Sequence, residues 1–260
     1  MILIIILIIL IIPLYKKIKN NQSQKFPKIK NKVYNTPEMK YLFWTGGYDS
    51  TFRLCQLVLD EKKPTQPIYL AMNNVDSKDG KITRKNKQKE YEIMNKIVKI
   101  LKNKYPYTKK LIYPTYYVYD LPKTPKYTQQ MLNLKKKHNF FHKRPINQYE
   151  RLARFSKLFP HTIEVGLEDC RTGLNKATAG NRVGIGADCR VNPNLPEKFA
   201  DLSLFDKMRF PIVHLKKQGM LDIAKKNGYS DILHKTWSCW YPKNGKPCGK
   251  CNMCKERIIK

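Results

Sequence analysis

The stretch YLFWTGGYDSTFRL, residues 41–54, joins an apolar run to an amphipathic one through two adjacent glycines, and an aspartate, a serine and a threonine follow at once. Upstream, KYLFW (40–44) reads as a buried strand. Downstream, STFRLCQLVLD (50–60) carries Phe52, Cys55 and Leu59 at the spacing of one helical face. Gly46 and Gly47 have no side chains to keep an anion away from the backbone N–H groups, and the helix that follows begins with its positive dipole end at the same place. The hydroxyls of Ser50 and Thr51 add donors, so the ligand expected here is a phosphate. Chain reversal alone can also place two glycines between a strand and a helix. The clustering of Thr45, Asp49, Ser50 and Thr51 around them favours a site.

Working outward, the pattern alternates. QPIYLAMNNV (66–75) reads as a second strand, followed by a polar helix over about 83–104, and KKLIYPTYYVYD (109–120) as a third strand. A helix around 147–159, a strand TIEVGL (162–167) that stops at Gly166, and a long Gly- and Asn-containing loop to about 197 come next. A short strand RFPIV (209–213) and a helix LKKQGMLDIAKKNG (215–228) complete the series. Strands alternating with helices predict an α/β fold with a parallel sheet of about five strands and helices on both faces. Open parallel sheets bind ligands beyond the carboxyl ends of their strands, which is where the paired glycines fall.

At 260 residues and 42% apolar content the chain can bury one sizeable core with a small appendage. The formal charge of +31 is compatible with a nucleic-acid or anionic-membrane partner through counterion release, or with solvated charge spread by a Lys- and Asn-rich composition. The first fourteen residues, MILIIILIILIIPL, are nearly all aliphatic and precede Tyr15, Lys16, Lys17 and Lys19. This is shorter than the roughly 17–25 residues that span a bilayer core. A membrane anchor over 1–19 that leaves the remainder cytoplasmic, and translation beginning instead at Met39, are both open. Residues 16–37, basic and broken by Pro27 and Pro37, read as a tether. The expected organisation is therefore 1–38 apolar segment and tether, 39–232 α/β domain, and 233–260 metal-binding subdomain.

That last subdomain rests on HKTWSCWYPKNGKPCGKCNMCKERI, which sets Cys239, Cys248, Cys251 and Cys254 in a C-x8-C-x2-C-x2-C array. Four thiolates at these spacings, on a loop turned by Pro247 and Gly249, close a tetrahedral site of the kind zinc favours, with no position left for water. Such a site supports structure rather than catalysis. Two disulfides, or an iron–sulfur cluster, use the same residues and stay open.

WTGGYDST resembles the SGGxDS loop of the PP-loop ATP pyrophosphatases, with Thr45 in place of the first serine. It matches neither the Walker A loop nor the dinucleotide fingerprint. Taken with TWSC…CGxCxxCxxR near the other end, the chain from 40 to 260 resembles the QueC family of 7-cyano-7-deazaguanine synthases. The resemblance implies a Rossmann-like (HUP/PP-loop) fold. It also implies that ATP is held by Thr45, Gly46, Gly47, Tyr48, Asp49, Ser50 and Thr51, with Mg2+ on the expelled pyrophosphate, Asp49 and Ser50 as the catalytic pair, and Zn2+ on the four cysteines. The family has an Asp-Cys-Arg element in its substrate region, and this chain offers two. Asp188-Cys189-Arg190 suits that context better than Asp169-Cys170-Arg171, although packing is the ordinary role of a lone cysteine. Trp237, Trp240 and Tyr241 are candidates for a stacking wall against a deazapurine, or for simple packing on the metal knot.

The reaction so implied converts 7-carboxy-7-deazaguanine and ammonia to the nitrile. ATP adenylates the carboxylate, ammonia makes the amide, and a second activation of the amide oxygen lets AMP depart. Two other classes remain: a PP-loop enzyme that thiolates or lysinylates a tRNA base, and a QueC-like binding protein without activity. Dimers are common in the family, so a homodimer is compatible with the sequence, and a nucleic-acid partner is compatible but not required.

Overall fold

A computed structural model of the chain describes residues 31–72, 74–75, 82–83, 86–138, 148–169, 185, 188–194 and 197–257. Strand β1 (Lys40–Phe43) leads through the paired glycines into helix α1 (Tyr48–Cys55), which continues as a π-helical turn over Gln56–Asp60. Strand β2 (Thr65–Leu70) follows, then a short antiparallel pair, β3 (Asn74–Val75) and β4 (Ile82–Thr83), and helix α2 (Lys87–Lys104). Strand β5 (Tyr116–Val118), helices α3 (Pro125–His138) and α4 (Gln148–Leu158), and strand β6 (Ile163–Val165) come next. A 3-10 helix (Glu197–Phe205), strand β7 (Met208–Arg209) and helices α5 (Lys217–Lys226), α6 (Ser230–Leu233) and α7 (Asn252–Lys255) complete the order.

The main sheet runs β5-β2-β1-β6-β7 with every pair parallel. Period-two alternation sends neighbouring residues to opposite faces. Tyr41, Phe43, Ile68 and Leu70 share one core with Met131 and Leu134 of α3 and Ala153 and Phe155 of α4. Leu42, Trp44 and Tyr69 are fully buried on the other face. There the Trp44 indole donates to Thr51 Oγ1 of α1 at 3.0 Å, and the Tyr69 hydroxyl bonds Glu90 of α2 at 2.6 Å. This is the doubly covered, Rossmann-like α/β sheet the alternation predicted, with the cysteine knot as a small appendage.

The order also fixes where a ligand fits. From β1 the chain moves outward to β2 and β5, then crosses to the opposite side of β1 at β6 and continues to β7. The strand order therefore reverses between β1 and β6. The loops leaving those two strands splay apart at their carboxyl ends and open the crevice such sheets use for binding.

Elements differ from the sequence reading where local chemistry intervenes. The third strand shrinks to Tyr116–Val118 because Pro114 interrupts it; Thr65 still bridges Ile112, and pairing resumes at Ile68 with Tyr116. Pro67, which has no N–H to give, falls in that gap. Helix α2 starts at Lys87 rather than 83, since Thr83 pairs with Asn74. The strand expected over 209–213 ends at Arg209, with Pro211 soon after. Helix α3 was not anticipated: its buried Met131 and Leu134 lie one turn apart in an otherwise polar stretch.

Residues 31–37, read from sequence as the end of a tether, are instead fastened to the sheet. The Asn31 side chain exchanges hydrogen bonds with both the N–H and the carbonyl of Tyr117, covering the edge of β5. Gln66 Nε2 donates to the Lys32 carbonyl at 2.7 Å, the Tyr34 N–H donates to Gln66 Oε1 at 3.0 Å, and the Tyr41 hydroxyl donates to the Tyr34 carbonyl at 2.6 Å. The apolar run 1–14 and the proposed anchor over 1–19 lie outside the described residues. Among the described residues no helix is long and apolar enough to cross a membrane. A chain beginning at Met39 is expected to be less stable than one beginning at Asn31 by about 2–4 kcal/mol, several net hydrogen bonds. Urea unfolding of the two proteins checks this, and equal midpoints would refute it.

Candidate active site and metal centre

The glycine loop meets close neighbours on three sides. Gly46 has φ +69°, and a Cβ there would stand 3.2 Å from Ile93 Cγ2 and 3.3 Å from Met94 Cγ of α2. Both the left-handed conformation and the space demand glycine. Gly47 is extended and caps α1; a Cβ on it would lie 3.2 Å from Thr45 Oγ1. From the far side, the end of β6 presses in. A Cβ on Gly166 would fall 2.7 Å from both the N and Cα of Ser50, so this position holds the first turn of α1 in place by lacking a side chain.

Within that clamp the loop residues divide. Thr45, Gly47, Asp49 and Ser50 are half-buried, and Ser50 Oγ donates to the Gly47 carbonyl at 3.4 Å. The first intrahelical bond of α1 runs from the Thr51 N–H to the Gly47 carbonyl at 3.0 Å, which leaves the amides of Tyr48, Asp49 and Ser50 without an intrahelical acceptor. Those amides are the donors a phosphate would use. Thr51 corrects the sequence reading: it is fully buried, and its hydroxyl accepts from the Trp44 indole, a prop between β1 and α1 rather than a phosphate donor. Tyr48 also turns inward, its hydroxyl 3.4 Å from the Lys217 carbonyl, so only its amide remains for a ligand.

Asp49 is the loop's electrostatic centre. Its Oδ1 is buried and has no hydrogen-bond partner within the protein. Burial raises its carboxyl to about 7; the Lys217 ammonium pulls the other way, and Glu168 and Glu256 add to the rise. An orphaned buried carboxylate oxygen beside a phosphate cradle fits an absent cation, and Asp49 is the residue that would hold Mg2+ there. Lys217, the first residue of α5, is ion-paired with Glu168, two positions beyond Gly166.

The four cysteine sulfurs all lie within 4.8 Å of one another, with Cys248 Sγ 3.9 Å and Cys251 Sγ 3.5 Å from Cys254 Sγ. Tetrahedral zinc with Zn–S bonds of about 2.3 Å needs sulfurs about 3.8 Å apart, so the set fits one ion. Disulfides are not formed, and the cysteines are free. Four thiolates this close leave no room between them for a cubane cluster. The Cys248 amide donates to Cys239 Sγ at 3.2 Å and the Cys251 amide to Cys248 Sγ at 3.4 Å, the orientation that supports bound thiolates. Amides of Lys250 and Cys251 draw the Cys248 thiol down to about 6, whereas burial pushes Cys254 up to about 12.

The knot is joined to the loop. Trp237, buried between them, donates its backbone N–H to the Gly46 carbonyl at 2.9 Å and its indole N–H to the Cys239 carbonyl at 2.9 Å. Ile93 of α2 packs on the Trp237–Cys239–Cys251 cluster, and Arg257 bonds the Thr236 carbonyl at 3.3 Å. Residues 198–259, which contain all of the knot, match the family model described as queuosine biosynthesis protein QueC. Residues 198–259 carry the QueC signature. Over 80 aligned residues the chain is 35% identical to a 7-cyano-7-deazaguanine synthase of Prochlorococcus marinus (strain MIT 9515), covering 27% of this chain and 34% of that protein. It is 36% identical to its counterpart in strain AS9601 over the same shares. The chain thus aligns with about a third of the length of these curated relatives.

The substrate residues expected from sequence are held by local backbone pairing. Asp188, Cys189 and Arg190 sit at the β7 edge: Arg190 bridges Arg209 in antiparallel fashion, the Phe210 N–H donates to the Cys189 carbonyl at 2.7 Å, and Cys189 has φ +62°. Among the described residues no hydrogen bond or ion pair joins them to residues 45–51. Asp169, of the other Asp-Cys-Arg element, lies next to the site with its N–H on the Leu215 carbonyl at 2.8 Å; Cys170 and Arg171 lie outside the described residues. Trp240 is half-buried on the knot with its ring edge-on to the exposed Tyr241. Sequence reasoning missed Glu168 and Lys217. Their only signal was position, one just past the glycine that ends a strand and the other at the start of a helix.

Three outcomes are expected. Gly166→Ala should displace the first turn of α1 and weaken nucleotide binding by at least about tenfold, with about 1–3 kcal/mol lost on overpacking; calorimetric titration and thermal melting check both. Because Asp49 holds its proton to about 7 when folded and to about 3.9 when unfolded, the folded state binds more protons between those values, and stability should fall as pH rises through that window. Asp49→Asn should flatten that slope in urea titrations from pH 4 to 7. Removal of metal by a chelator should loosen Trp237 and cost nucleotide affinity along with its fluorescence signature, whereas retention of both would separate knot from loop.

Proposed function

We propose that this chain converts 7-carboxy-7-deazaguanine and ammonia to 7-cyano-7-deazaguanine at the expense of ATP, releasing AMP and pyrophosphate. The observation that carries this reading is the direct hydrogen bond from Trp237, within the QueC-like segment, to Gly46 of the glycine loop. The segment with the family's signature and the loop with the phosphate-binding chemistry form one site.

The carboxylate oxygen of the acid is a poor leaving group, and AMP attached to it is a good one. What the protein must supply is a grip on the pyrophosphate as it departs, an acceptor geometry that does not need to reorganise, and protection of the adenylate from water. The first-turn amides of α1 and the Ser50 hydroxyl serve as preorganised donors. Asp49 would hold magnesium, which when bound neutralises developing charge on the phosphates. Gly166 keeps these donors fixed, and Trp237 with α2 closes the side of the loop away from β6. Zinc on the four cysteines would hold the knot against the loop and take no part in the chemistry. Nothing in this reading calls on the apolar run at 1–14, a second copy of the chain or a nucleic acid.

The test is incubation of purified, zinc-loaded protein with 7-carboxy-7-deazaguanine, ammonium and Mg-ATP, followed by mass spectrometry. Amide and nitrile should appear with stoichiometric AMP. ADP as the nucleotide product, or no turnover of the acid, would overturn the proposal.

A further inference from the structure

We propose that α2 and the 3-10 turn after it (Pro106–Lys109) form a docking surface for unpaired nucleic acid. Tyr107 stacks on a base, and a stripe of lysines holds the backbone phosphates. The surface is separate from the glycine loop and does not depend on the function proposed above. Residues 93–119 contain Lys96, Lys99, Lys102, Lys104, Lys109 and Lys110 and no acidic residue. Met94, Ile97 and Leu101 are the buried side of α2 here. Lys96, Lys99 and Lys102 recur at every third position away from it, the first two exposed and the third half-buried. Among the described residues, Lys96, Lys99, Lys102, Lys109 and Lys110 are in no ion pair. Like charges one helical turn apart repel, and a polyanion relieves that repulsion.

The stripe ends at two tyrosines. Tyr105 is half-buried, its hydroxyl donates to the Gly228 carbonyl at 2.8 Å, and Lys104 Nζ stands 5.4 Å from its ring centre. Tyr107 is 42% exposed, with its ring 6.3 Å from that of Tyr105 and tilted by 58°. Lys62, just beyond the π-helical turn, reaches across to it. Its ammonium lies 4.0 Å from the Tyr107 ring centre and donates to the hydroxyl at 2.5 Å. Lys62 has φ +54°, the left-handed conformation in which a helix end usually carries glycine or asparagine. A lysine therefore stands over Tyr107 in spite of a backbone cost. The acids at the margin are engaged, Glu61 with Arg53 and Asp231 with Lys104 at 2.8 Å. An exposed ring among spare cations suits a single strand, whose bases stack on the ring while its phosphates meet the ammoniums. In a duplex those base faces are covered. A bilayer would reward exposed apolar side chains, and the exposed residues of 95–110 are asparagines, lysines, Pro106 and Tyr107. Gly46 packs on Ile93 and Met94, and Lys104 is about 15 Å farther along α2, so nucleic acid and nucleotide are held at separate places.

The experiment follows the fluorescence anisotropy of a labelled polyuridylate dodecamer titrated with the zinc-loaded full chain, between about 50 and 200 mM salt. Tyr107→Ala should weaken binding at least about fivefold, and Tyr107→Trp should bind within about twofold of wild type. Binding of a duplex of the same length should be indifferent to Tyr107→Ala. Replacing Lys96, Lys99 and Lys102 together by Gln should lower the slope of log K against log salt by about 2, since each phosphate contact to a single strand contributes about 0.7. Mg-bound α,β-methylene ATP should not displace the dodecamer. Wild type that fails to bind at the lower salt, a folded Tyr107→Ala protein that binds as wild type does, or displacement by the ATP analogue would overturn the proposal. Phosphatidylserine vesicles that displace the dodecamer from wild type would do the same, by assigning the lysines to a membrane. Should Tyr107→Ala fail to melt cooperatively, the triple lysine variant decides alone, and an unchanged salt slope refutes the surface. Turnover of the acid is a separate measurement that none of these outcomes decides.

Discussion

A single backbone hydrogen bond, from the Trp237 N–H to the Gly46 carbonyl, joins the glycine loop to the four-cysteine knot. Gly46 sits in the left-handed region beneath α2, where a side chain would be strained and would crowd Ile93 and Met94. Its carbonyl would otherwise be a buried acceptor without a partner, which costs free energy comparable to a lost hydrogen bond. Trp237 satisfies it, and Trp237 is itself held by its indole bond to the backbone carbonyl of Cys239, one of the four cysteines. The loop is therefore tied to the cysteine knot through two donors on one residue. This gives a physical reason for a closed four-sulfur knot beside the loop: the knot is the far abutment of the glycine loop.

The second constraint comes from the sheet. Because the strand order reverses between β1 and β6, the loops after those strands part, and the protein closes the gap with backbone rather than side chains. Gly166 lets the β6 exit rest on Ser50, and the same exit delivers Glu168 to Lys217. The first turn of α1 is thus confined by α2 above, by β6 beside and by Trp237 behind. The first-turn amides are thereby held by close contacts on three sides.

Charge is arranged less expectedly. A chain of formal charge +31 gathers the carboxylates Asp49, Glu168 and Glu256 with Lys217 near its glycine loop, and Asp49 has an oxygen with no protein partner. Burial is the largest cause of the rise in its proton affinity. Other positive charge is solvated, as at the exposed Lys96 and Lys99 of α2.

By itself the sequence determined the elements whose chemistry is local. Two adjacent glycines between an apolar run and a helical face, and four cysteines at closed spacings, have few other uses, so the loop, the knot and the strand–helix alternation were legible from residue type and period. Boundaries of the expected helices were legible to within a few residues, whereas Pro114 shortened a strand, the β3–β4 pairing delayed the start of α2, and α3 was missed altogether. The role of Thr51 was not, because a hydroxyl reads as a donor until the Trp44 indole is seen to claim it. Nor were Glu168 and Lys217, whose significance is only that β6 and α5 bring them to one crevice, nor the strap at 31–37, whose polar residues read as solvated until the sheet edge they cover is known. Only the tertiary structure decided these, because each depends on a partner distant in sequence, and pairing across that distance leaves no periodic trace along the chain.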